Sequence, residues 1–341
     1  MKAFELSHFG LDGLRLVERP DPTPGPGQIL LRMRAASLNY RDLSVVRGEY
    51  LSLKPPFIPI SDGMGEVVAL GPGVRRFKVG DRVLPAYITN WINGEPPADN
   101  MSRLGGPLDG VLAEYMAVSE ESAVHAPSHL SDVEAVTLPI AALTAWQTLF
   151  VYGSLQLGQT VVVQGSGGVS LFALMLARAA GAEVIATSGN PAKLARLKEL
   201  GAHHVINYRE TPDWDKRVLE LTERQGVRGA DHVLDIAGGE TLKRSIAAAR
   251  VGGTVYVVGF VEGLSTTLDL LPTVTRRIRL QAVSGGHRTS LEALVRAMEL
   301  HRITPVVDKV FPVTEVREAL DYLGKGTHFG KVALSFEGFG R

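Results

Sequence analysis

The stretch from residue 160 to residue 189 constrains the fold more than any other part of this chain. The short β-branched run 161–163 predicts a strand buried on both faces. A glycine-rich turn at 165–168 follows it, and apolar residues then recur at helical spacing as far as Gly181, a good helix terminator. Residues 182–187 are predicted to form a second strand. Because strand, helix and strand follow in this order, the two strands are predicted to be parallel.

The glycine turn predicts a phosphate-binding site. Gly165, Gly167 and Gly168 have no side chains to hold a pyrophosphate away from the backbone. The helix that follows offers free amide N–H groups and the positive end of its dipole. The pattern Gly-x-Gly-x-x-Gly is weak evidence by itself, and here Ser170 replaces the third glycine, which we expect to loosen helix–strand packing slightly. Its place between a strand and a helix favours a dinucleotide site over a tight turn that binds no nucleotide.

The end of the second predicted strand favours NADP over NAD. An NAD site usually has Asp or Glu there, which binds the ribose 2′-hydroxyl. This chain has Thr187, Ser188 and Gly189 instead. Asn190 and Pro191 then predict the cap and first residue of another helix, and Lys193 and Arg196 follow in it. A carboxylate would repel a 2′-phosphate, so its absence beside two cations predicts NADP(H). The alternative is that both cations are solvated surface charges.

Composition excludes several classes of protein. A chain of 341 residues can form two domains with a sizeable core. Its 36 basic and 36 acidic residues balance, so we expect neither nucleic acid nor a membrane surface as a partner. The absence of cysteine excludes disulfides, thiol catalysis and cysteine-ligated zinc. Without a signal-like apolar core or an uninterrupted apolar segment of membrane-spanning length, we expect a soluble cytoplasmic enzyme.

The chain divides into two kinds of pattern. Residues 1 to about 120 form short apolar runs cut by Pro and Gly, which predicts an all-β, barrel-like region. Helical and strand patterns then alternate, beginning at a capping box formed by Ser131 and Glu134. The predicted fold class is therefore α/β, with a Rossmann-type doubly wound parallel sheet and a β-barrel-type domain.

Nine short pieces, taken together, carry a resemblance to a known family. They are Pro26 to Gln28, Leu38 to Asp42 with Arg47 to Tyr50, Pro59 to Glu66, Val79 to Val83, Asp109 to Tyr115, Leu143 to Trp146, Gln164 to Ser170, Ile206 to Tyr208 and Gly330 to Val332. In order and spacing the chain resembles the medium-chain dehydrogenase/reductase superfamily over nearly its whole length. The resemblance implies a GroES-like catalytic domain of residues 1–124 and 305–341 and a Rossmann dinucleotide-binding domain of residues 125–304.

The resemblance also bears on metal binding. Zinc alcohol dehydrogenases of this superfamily hold a catalytic zinc on Cys, His and Cys, and their motifs place Asn39, Ser61 and Ile140 at those positions. This is not a credible set of zinc ligands. The cysteine-rich structural zinc lobe is also missing from residues 90–106. The chain therefore resembles the zinc-free branch, which includes the ζ-crystallin-like NADPH quinone oxidoreductases and the enoyl reductases, and we expect no metal.

The resemblance implies a set of residues that bind NADP(H). They are Thr144 at the nicotinamide end; Gly165, Ser166, Gly167, Gly168 and Val169 at the pyrophosphate; Ser188, Lys193 and Tyr208 at the adenosine 2′-phosphate; and Gly259, Phe260, Val261, Ser284, Gly285 and Lys331 along the nicotinamide.

On the barrel side of the expected cleft, the resemblance implies Asn39, Asp42, Tyr50 and Asp62. The nicotinamide supplies hydride, so the protein must supply a proton or positive charge where negative charge develops. Tyr50 lies where the enoyl reductases keep a tyrosine proposed as proton donor, and it is ahead of Tyr40 as a candidate. An equal alternative is that Tyr50 only shapes the pocket wall. Asn39 is expected to orient the substrate or the carboxamide, and Asp42 is more readily explained as a structural cap than as a catalytic group.

These features predict an NADPH-dependent, zinc-free oxidoreductase that transfers hydride to a small quinone or another α,β-unsaturated carbonyl. One alternative is an NADP-dependent alcohol dehydrogenase or carbonyl reductase, and another is a non-catalytic NADPH-binding sensor or structural protein. The family usually pairs subunits through the outer strand of the nucleotide domain, here 279–284, so we expect a homodimer. Loops around Tyr50, 87–106 and 261–267 are expected to set the substrate.

Overall fold

The computed structural model describes residues 1–50, 53–98, 102–224 and 226–340. The chain forms two compact units. The β unit comprises Met1–Leu143 and Gly285–Arg341, and the α/β unit comprises Thr144–Ser284. These divisions differ from the domain boundaries implied by the resemblance, after residues 124 and 304, which remain a prediction.

Strands and helices of the described residues follow in chain order. The strands are β1 (Lys2–Leu6), β2 (Leu14–Glu18), β3 (Gln28–Leu38), β4 (Asp62–Leu70), β5 (Arg82–Pro85), β6 (Tyr115–Ser119), β7 (Ala123–His125), β8 (Thr160–Gln164), β9 (Glu183–Ser188), β10 (His204–Asn207), β11 (Ala230–Asp235), β12 (Ala249–Val257), β13 (Arg279–Ala282), β14 (Val307–Pro312) and β15 (Lys331–Ser335). The α-helices are α1 (Tyr40–Arg47), α2 (Asp132–Ala135), α3 (Leu143–Trp146), α4 (Gly168–Ala179), α5 (Pro191–Glu199), α6 (Trp214–Leu221), α7 (Thr241–Ala248), α8 (Leu270–Thr275), α9 (Arg288–Leu300) and α10 (Val316–Gly324). Single π-helical or 3₁₀ turns occur at Leu11–Gly13, Glu120–Ser122, Leu138–Ala142, Gln147–Tyr152 and Val313–Glu315.

The core of the β unit is one mixed sheet. Its order is β14-β15-β3-β4-β5-β7, with β6 also paired to β3. Along β3 the side chains of Ile29, Leu31 and Met33 are buried and Arg32 between them is exposed. This alternation is typical of a strand with one face on a core, and the predicted β region is confirmed.

The α/β unit is built on a parallel sheet, as predicted. The order of its described strands is β10-β9-β8-β11-β12-β13, which is the 3-2-1-4-5-6 order of a doubly wound fold. Val161, Val162 and Val163 of β8 are fully buried, because helices cover both faces of such a sheet. The strand order reverses between β8 and β11, and the glycine turn follows the carboxyl end of β8. In this fold class ligands bind at that point.

Helix α1 was not predicted from the sequence, although two signals for it were present. Asn39 precedes the helix in an extended conformation, and the carboxylate of Asp42 accepts its backbone N–H at 2.8 Å. Gly48 ends the helix in the left-handed region, at φ 77°. An Asx residue three positions before an acid and nine positions before a glycine is a pattern typical of a capped helix. The helix places Asn39, Arg41 and Asp42 within one turn of each other.

The helical segment Asp132–Tyr152 has the length and apolar composition of a membrane span, but 72% of its most apolar window is buried inside the structure. Buried core helices can have the same length and apolar composition, so this segment is weak evidence for a membrane span. The predicted capping box at its start is present: Glu134 accepts hydrogen bonds from the backbone N–H of Ser131 at 2.8 Å and from its hydroxyl at 2.6 Å.

Candidate active site

The glycine turn of the α/β unit has the geometry of a phosphate site. Gly165 has φ +71°, and its N–H donates to the carbonyl of Thr187 at 2.8 Å. Gly167 precedes α4 in an extended conformation, and a Cβ added to it would meet no atom within 4 Å. Open space therefore lies beside the free N–H groups of a helix of 12 residues. The turn fits a dinucleotide pyrophosphate.

Ser170 contributes to this turn in a way that we did not expect. Its side chain is buried, and its hydroxyl donates a 2.6 Å hydrogen bond to the carbonyl of Gln164. This bond ties the first turn of α4 to the end of β8. The structure thus shows a tie where the replacement of the third glycine was expected to loosen the packing.

Gly189, just after β9, lies beneath two side chains. A Cβ added to Gly189 would lie 2.7 Å from Nε of Arg209 and 2.9 Å from the hydroxyl of Tyr208. Only a residue without a side chain lets both groups approach this closely. Ser188 precedes it, buried, with its Oγ accepting the N–H of Asn190 at 3.3 Å. Ser188, Tyr208 and the cation of Arg209 therefore lie at one end of the sheet.

Arg209 was not predicted as a site residue, although its position could have been inferred. Strands β9 and β10 are parallel and Asn207 is aligned with Ser188, so the residues after both strands leave the sheet at the same edge. Lys193, which was predicted, lies on the first turn of α5. Asn190 caps this helix by accepting the N–H of Ala192 at 2.9 Å and that of Lys193 at 3.3 Å. The predicted pair of Asn cap and first-turn proline is confirmed.

The other predicted cofactor residues are divided between the two units. Ser166 is buried in the turn, and Val169 is the second residue of α4. The α/β unit also contains Thr144 and the residues that follow β12 and β13, which are Gly259, Phe260, Val261 and Ser284. A Cβ at Gly259 would lie 2.3 Å from the carbonyl oxygen of Ile236, so glycine is required there. Gly285 and Lys331 belong to the β unit.

Arg41 is the centre of a buried polar cluster in the β unit, and it was not predicted. Its side chain is 9% exposed. One guanidinium nitrogen lies 3.2 Å from Oδ1 of Asp42 and also bonds the hydroxyl of Ser61, and the other donates to the carbonyl of Gly106 at 3.1 Å. The hydroxyl of Ser61 in turn donates to Asp42 at 2.6 Å. The other carboxylate oxygen of Asp42 accepts the backbone N–H of Asn39. Both oxygens of Asp42 are therefore hydrogen-bonded to groups of this chain.

Two tyrosines lie against this cation. The guanidinium carbon of Arg41 is 5.1 Å from the ring centre of Tyr50 and 4.9 Å from that of Tyr87. Burial lowers the pKa of Arg41, but Tyr87 and Asp42 outweigh it and raise that pKa above its ordinary value. Burial also raises the pKa of Tyr87, which Arg41 offsets only in part. Both groups therefore keep their protons across the working pH range.

Asn39 is held in a second cluster of the β unit, between a cation and a carboxylate. The ammonium of Lys331 donates to Oδ1 of Asn39 and to the carbonyl of Leu38, both at 2.7 Å. Nδ2 of Asn39 donates to Asp62 at 2.8 Å. Lys331 and Asp62 are 4% and 0% exposed, with Nζ 3.9 Å from Oδ2. Burial raises the pKa of the Asp62 carboxyl and lowers that of Lys331, and each charge partly offsets the shift of the other.

The donors of these clusters are poorly suited to a metal ion. Within the described residues there is no group of three His, Cys, Asp or Glu side chains that could hold one. The hydroxyl of Ser61 is bonded to the guanidinium of Arg41, so a metal cation at Ser61 would face a like charge at hydrogen-bond distance. Ile140 offers no donor atom.

The loop after β5 is fixed to the start of α9. The N–H of Arg288 donates to the carbonyl of Trp91 at 3.0 Å, and that of Thr289 to the carbonyl of Ile92 at 3.1 Å. The hydroxyl of Thr289 donates to the side chain of Asn93 at 2.9 Å. This part of the predicted substrate loop is thus held in place. Residues 99–101 of that loop, and 51–52 beside Tyr50, lie outside the described residues.

Two family models match the chain. The model described as "Alcohol dehydrogenase GroES-like domain" matches residues 25–128. The model described as "Zinc-binding dehydrogenase" matches residues 168–299.

Known proteins align with nearly the whole chain. The zinc-type alcohol dehydrogenase-like protein C1773.06c of Schizosaccharomyces pombe is 40% identical over 337 residues, which cover 96% of each chain. The chloroplastic quinone-oxidoreductase QR1 of Triphysaria versicolor is 31% identical and covers 98% of each. A solved NAD-dependent alcohol dehydrogenase is 33% identical with a TM-score of 0.89, covering 98% of this chain and 99% of the other.

Proposed function

This chain belongs to the medium-chain dehydrogenase/reductase superfamily and is an oxidoreductase with a nicotinamide cofactor, and we propose that it is an NADPH-dependent, zinc-independent reductase of quinones or other small α,β-unsaturated carbonyls. The observation that carries the proposal is the buried guanidinium of Arg41, bonded to Asp42 and Ser61 and lying against the rings of Tyr50 and Tyr87. It supplies a fixed positive charge within the β unit and is bonded to Ser61, the residue that the resemblance places where zinc enzymes of the superfamily keep a metal ligand.

The preference for NADPH rests on the group around Gly189. Ser188 replaces the usual carboxylate, and Tyr208 and Arg209 pack over a glycine that leaves them room. With Lys193 nearby, this end of the sheet offers hydroxyl and cationic donors, which suit a 2′-phosphate. One solved relative is named as NAD-dependent, so NADPH and NADH must be compared directly on this protein.

The residues of the β unit have separable tasks in this proposal. The nicotinamide, when bound, supplies the hydride. Reduction of an enone or quinone places negative charge on a carbonyl oxygen, and the positive charge of Arg41 favours that charge. Tyr50 supplies the proton, and Asn39, fixed by Lys331 and Asp62, orients the substrate.

A second candidate is an NADP-dependent alcohol dehydrogenase or carbonyl reductase. The relative that is 40% identical is named as alcohol dehydrogenase-like, which favours direct action on a C=O bond. The non-catalytic sensor is the third possibility, and it would bind NADPH without turning over any acceptor.

Oxidation of NADPH and NADH should be followed with a benzoquinone, a naphthoquinone, an enone and a simple aldehyde, with and without a chelator. We expect turnover of quinone or enone with NADPH, unchanged by the chelator. Turnover of the aldehyde alone would indicate the carbonyl reductase. NADPH binding without turnover would indicate the sensor, and loss of activity with chelator would contradict zinc independence.

We further propose that the chain forms a homodimer through β13 and α8. On α8, Leu270, Leu271 and Val274 are 68%, 69% and 70% exposed, an apolar surface that a partner would cover. Light scattering should give a dimer for the wild type and a monomer for Leu271→Glu with Val274→Glu. Leu157→Glu, at another exposed leucine (83%), should remain dimeric. A cytoplasmic location and the absence of nucleic-acid and membrane partners are part of the same proposal.

A further inference from the structure

The hydroxyl of Tyr87 is a buried hydrogen-bond donor without an acceptor among the described residues. The residue is 4% exposed. An unpaired buried hydroxyl has lost its bonds to water without replacing them, so a protein rarely retains one unless something else binds it. A phenylalanine would fill the same space without this cost.

We propose that Tyr87 is a catalytic residue whose hydroxyl donates a hydrogen bond to the carbonyl oxygen of the substrate. The inference rests on the proposed function and adds a residue to it, since neither Tyr50 nor Asn39 explains the unpaired hydroxyl. A carbonyl oxygen is the acceptor that the hydroxyl lacks, and it is also the atom on which negative charge develops during reduction.

The ring of Tyr87 is held in one orientation by its surroundings in the β unit. Its backbone carbonyl accepts the N–H of Leu104 at 3.0 Å. The guanidinium of Arg41 lies 4.9 Å from the ring centre. The ring edge packs on Gly285, where an added Cβ would lie 3.4 Å from Cδ1 and 3.7 Å from Cε1. Gly285 is one of the residues that the proposed function assigns to the nicotinamide, so the same proposal assigns Tyr87 to the reacting end of the cofactor.

The chemistry of the group suits donation rather than proton transfer. Burial raises the pKa of Tyr87 above its ordinary value, so the phenol stays protonated and can always donate. The positive charge of Arg41 beside the ring makes the O–H a stronger donor to a developing oxyanion. No proton leaves Tyr87. The proton that the product gains comes from Tyr50, as in the proposed function.

Tyr87→Phe tests this inference against a matched tyrosine of the same unit. Tyr322 also has a hydroxyl, but it is paired, donating to Asp308 at 2.6 Å. We expect Tyr87→Phe to lower kcat/KM for quinone or enone by about ten- to a hundredfold, with NADPH affinity unchanged and thermal stability equal or higher. Tyr322→Phe should do the reverse, lowering stability while leaving kcat/KM unchanged.

Binding of a saturated ketone, measured calorimetrically with NADP⁺ present, gives a readout that does not need turnover. We expect Tyr87→Phe to weaken it by about tenfold. If Tyr87→Phe keeps full kcat/KM and full ketone affinity, the inference is wrong even where the wild type reduces the panel. If the wild type reduces no acceptor, the proposed function fails, and unchanged ketone affinity in Tyr87→Phe would then reject the inference separately.

Discussion

The ammonium of Lys331 donates to Oδ1 of Asn39 at 2.7 Å, across 292 residues of sequence. This bond joins the first residue of β15 to the cap of α1 and decides which way the amide of Asn39 points, because Nδ2 is then left to donate to Asp62 at 2.8 Å. A candidate substrate-orienting residue is thus fixed by two buried charges of opposite sign.

Replacing Lys331 with Met should destabilise the protein, and more so at high pH. Breaking a buried ion pair costs about 3 kcal/mol, because it leaves an unpaired charge on Asp62. Burial already raises the pKa of Asp62 to about 7 from an ordinary 3.8, and loss of Lys331 raises it further. Because the pKa of Asp62 is higher in the folded than in the unfolded chain, its protonated form stabilises the fold. This contribution to the free energy of unfolding is complete below about pH 4 and is lost as pH rises through the pKa of the folded state. The variant should therefore lose more stability at pH 8 than at pH 5, measured by denaturant unfolding.

The double variant Asp62→Asn with Lys331→Met is the control for this prediction. It removes both charges, so its loss of stability should be smaller than that of Lys331→Met and should not increase from pH 5 to pH 8. An equal loss in both variants would show that packing, and not the unpaired charge, determines the effect.

A buried histidine should make the α/β unit sensitive to acid. His232 lies with Nδ1 2.9 Å from the hydroxyl of Tyr256 and Nε2 2.9 Å from Oε1 of Gln159. Burial lowers its pKa to about 4 from an ordinary 6.5. Between pH 6.5 and about 4 the unfolded chain therefore binds a proton at His232 that the folded chain does not bind. The free energy of unfolding decreases as pH is lowered through this range, by about 3 kcal/mol at most. Melting temperatures from pH 7 to 4.5 should show a smaller decline in His232→Phe than in the wild type, whereas exposed His301→Gln should not change it.

Arg209 is expected to discriminate NADPH from NADH. A charge-assisted hydrogen bond to the 2′-phosphate is worth about 1.5–3 kcal/mol, so Arg209→Gln should weaken NADPH binding about tenfold or more. NADH binding should stay the same, since NADH has no phosphate at that position. Fluorescence titration of both cofactors measures the two constants. Lys216→Gln removes an exposed cation of α6 that pairs with Asp213, and it should change neither binding constant. Equal weakening of both cofactors by Arg209→Gln would contradict the assignment.

Restoring the third glycine of the turn should lower stability rather than raise it. Ser170→Gly removes the 2.6 Å bond to Gln164, worth about 1 kcal/mol, and adds a flexible residue to the first turn of α4. Ser170→Ala removes only the hydroxyl and should be intermediate in melting temperature. A higher melting temperature for Ser170→Gly would show that the serine strains the turn.

The sequence predicted what depends on neighbours along the chain. The buried run of β8, the turn from Gly165 to Gly168 and the cap at Asn190 with Pro191 each have a local physical cause, and the structure contains all of them. The parallel pairing of β8 and β9 was also predicted, because strand, helix and strand in sequence bring two parallel strands together. Helix α1 was missed although its capping signals were also local, since eight residues beside Pro- and Gly-rich strands gave too short a pattern to stand out.

The candidate site was decided by tertiary structure. Arg209 reaches Gly189 because β9 and β10 are in register, and Lys331 reaches Asn39 because β15 pairs with β3. The strength of these contacts depends on burial: the same Arg41, Asp62 and Tyr87 in water would be ordinary solvated groups. No local pattern contains either the register of distant strands or the loss of solvent around a charge. The sequence by itself therefore determined the type of fold and of cofactor to expect, and only the folded chain decided which side chains meet and which of them are left with an unpaired donor.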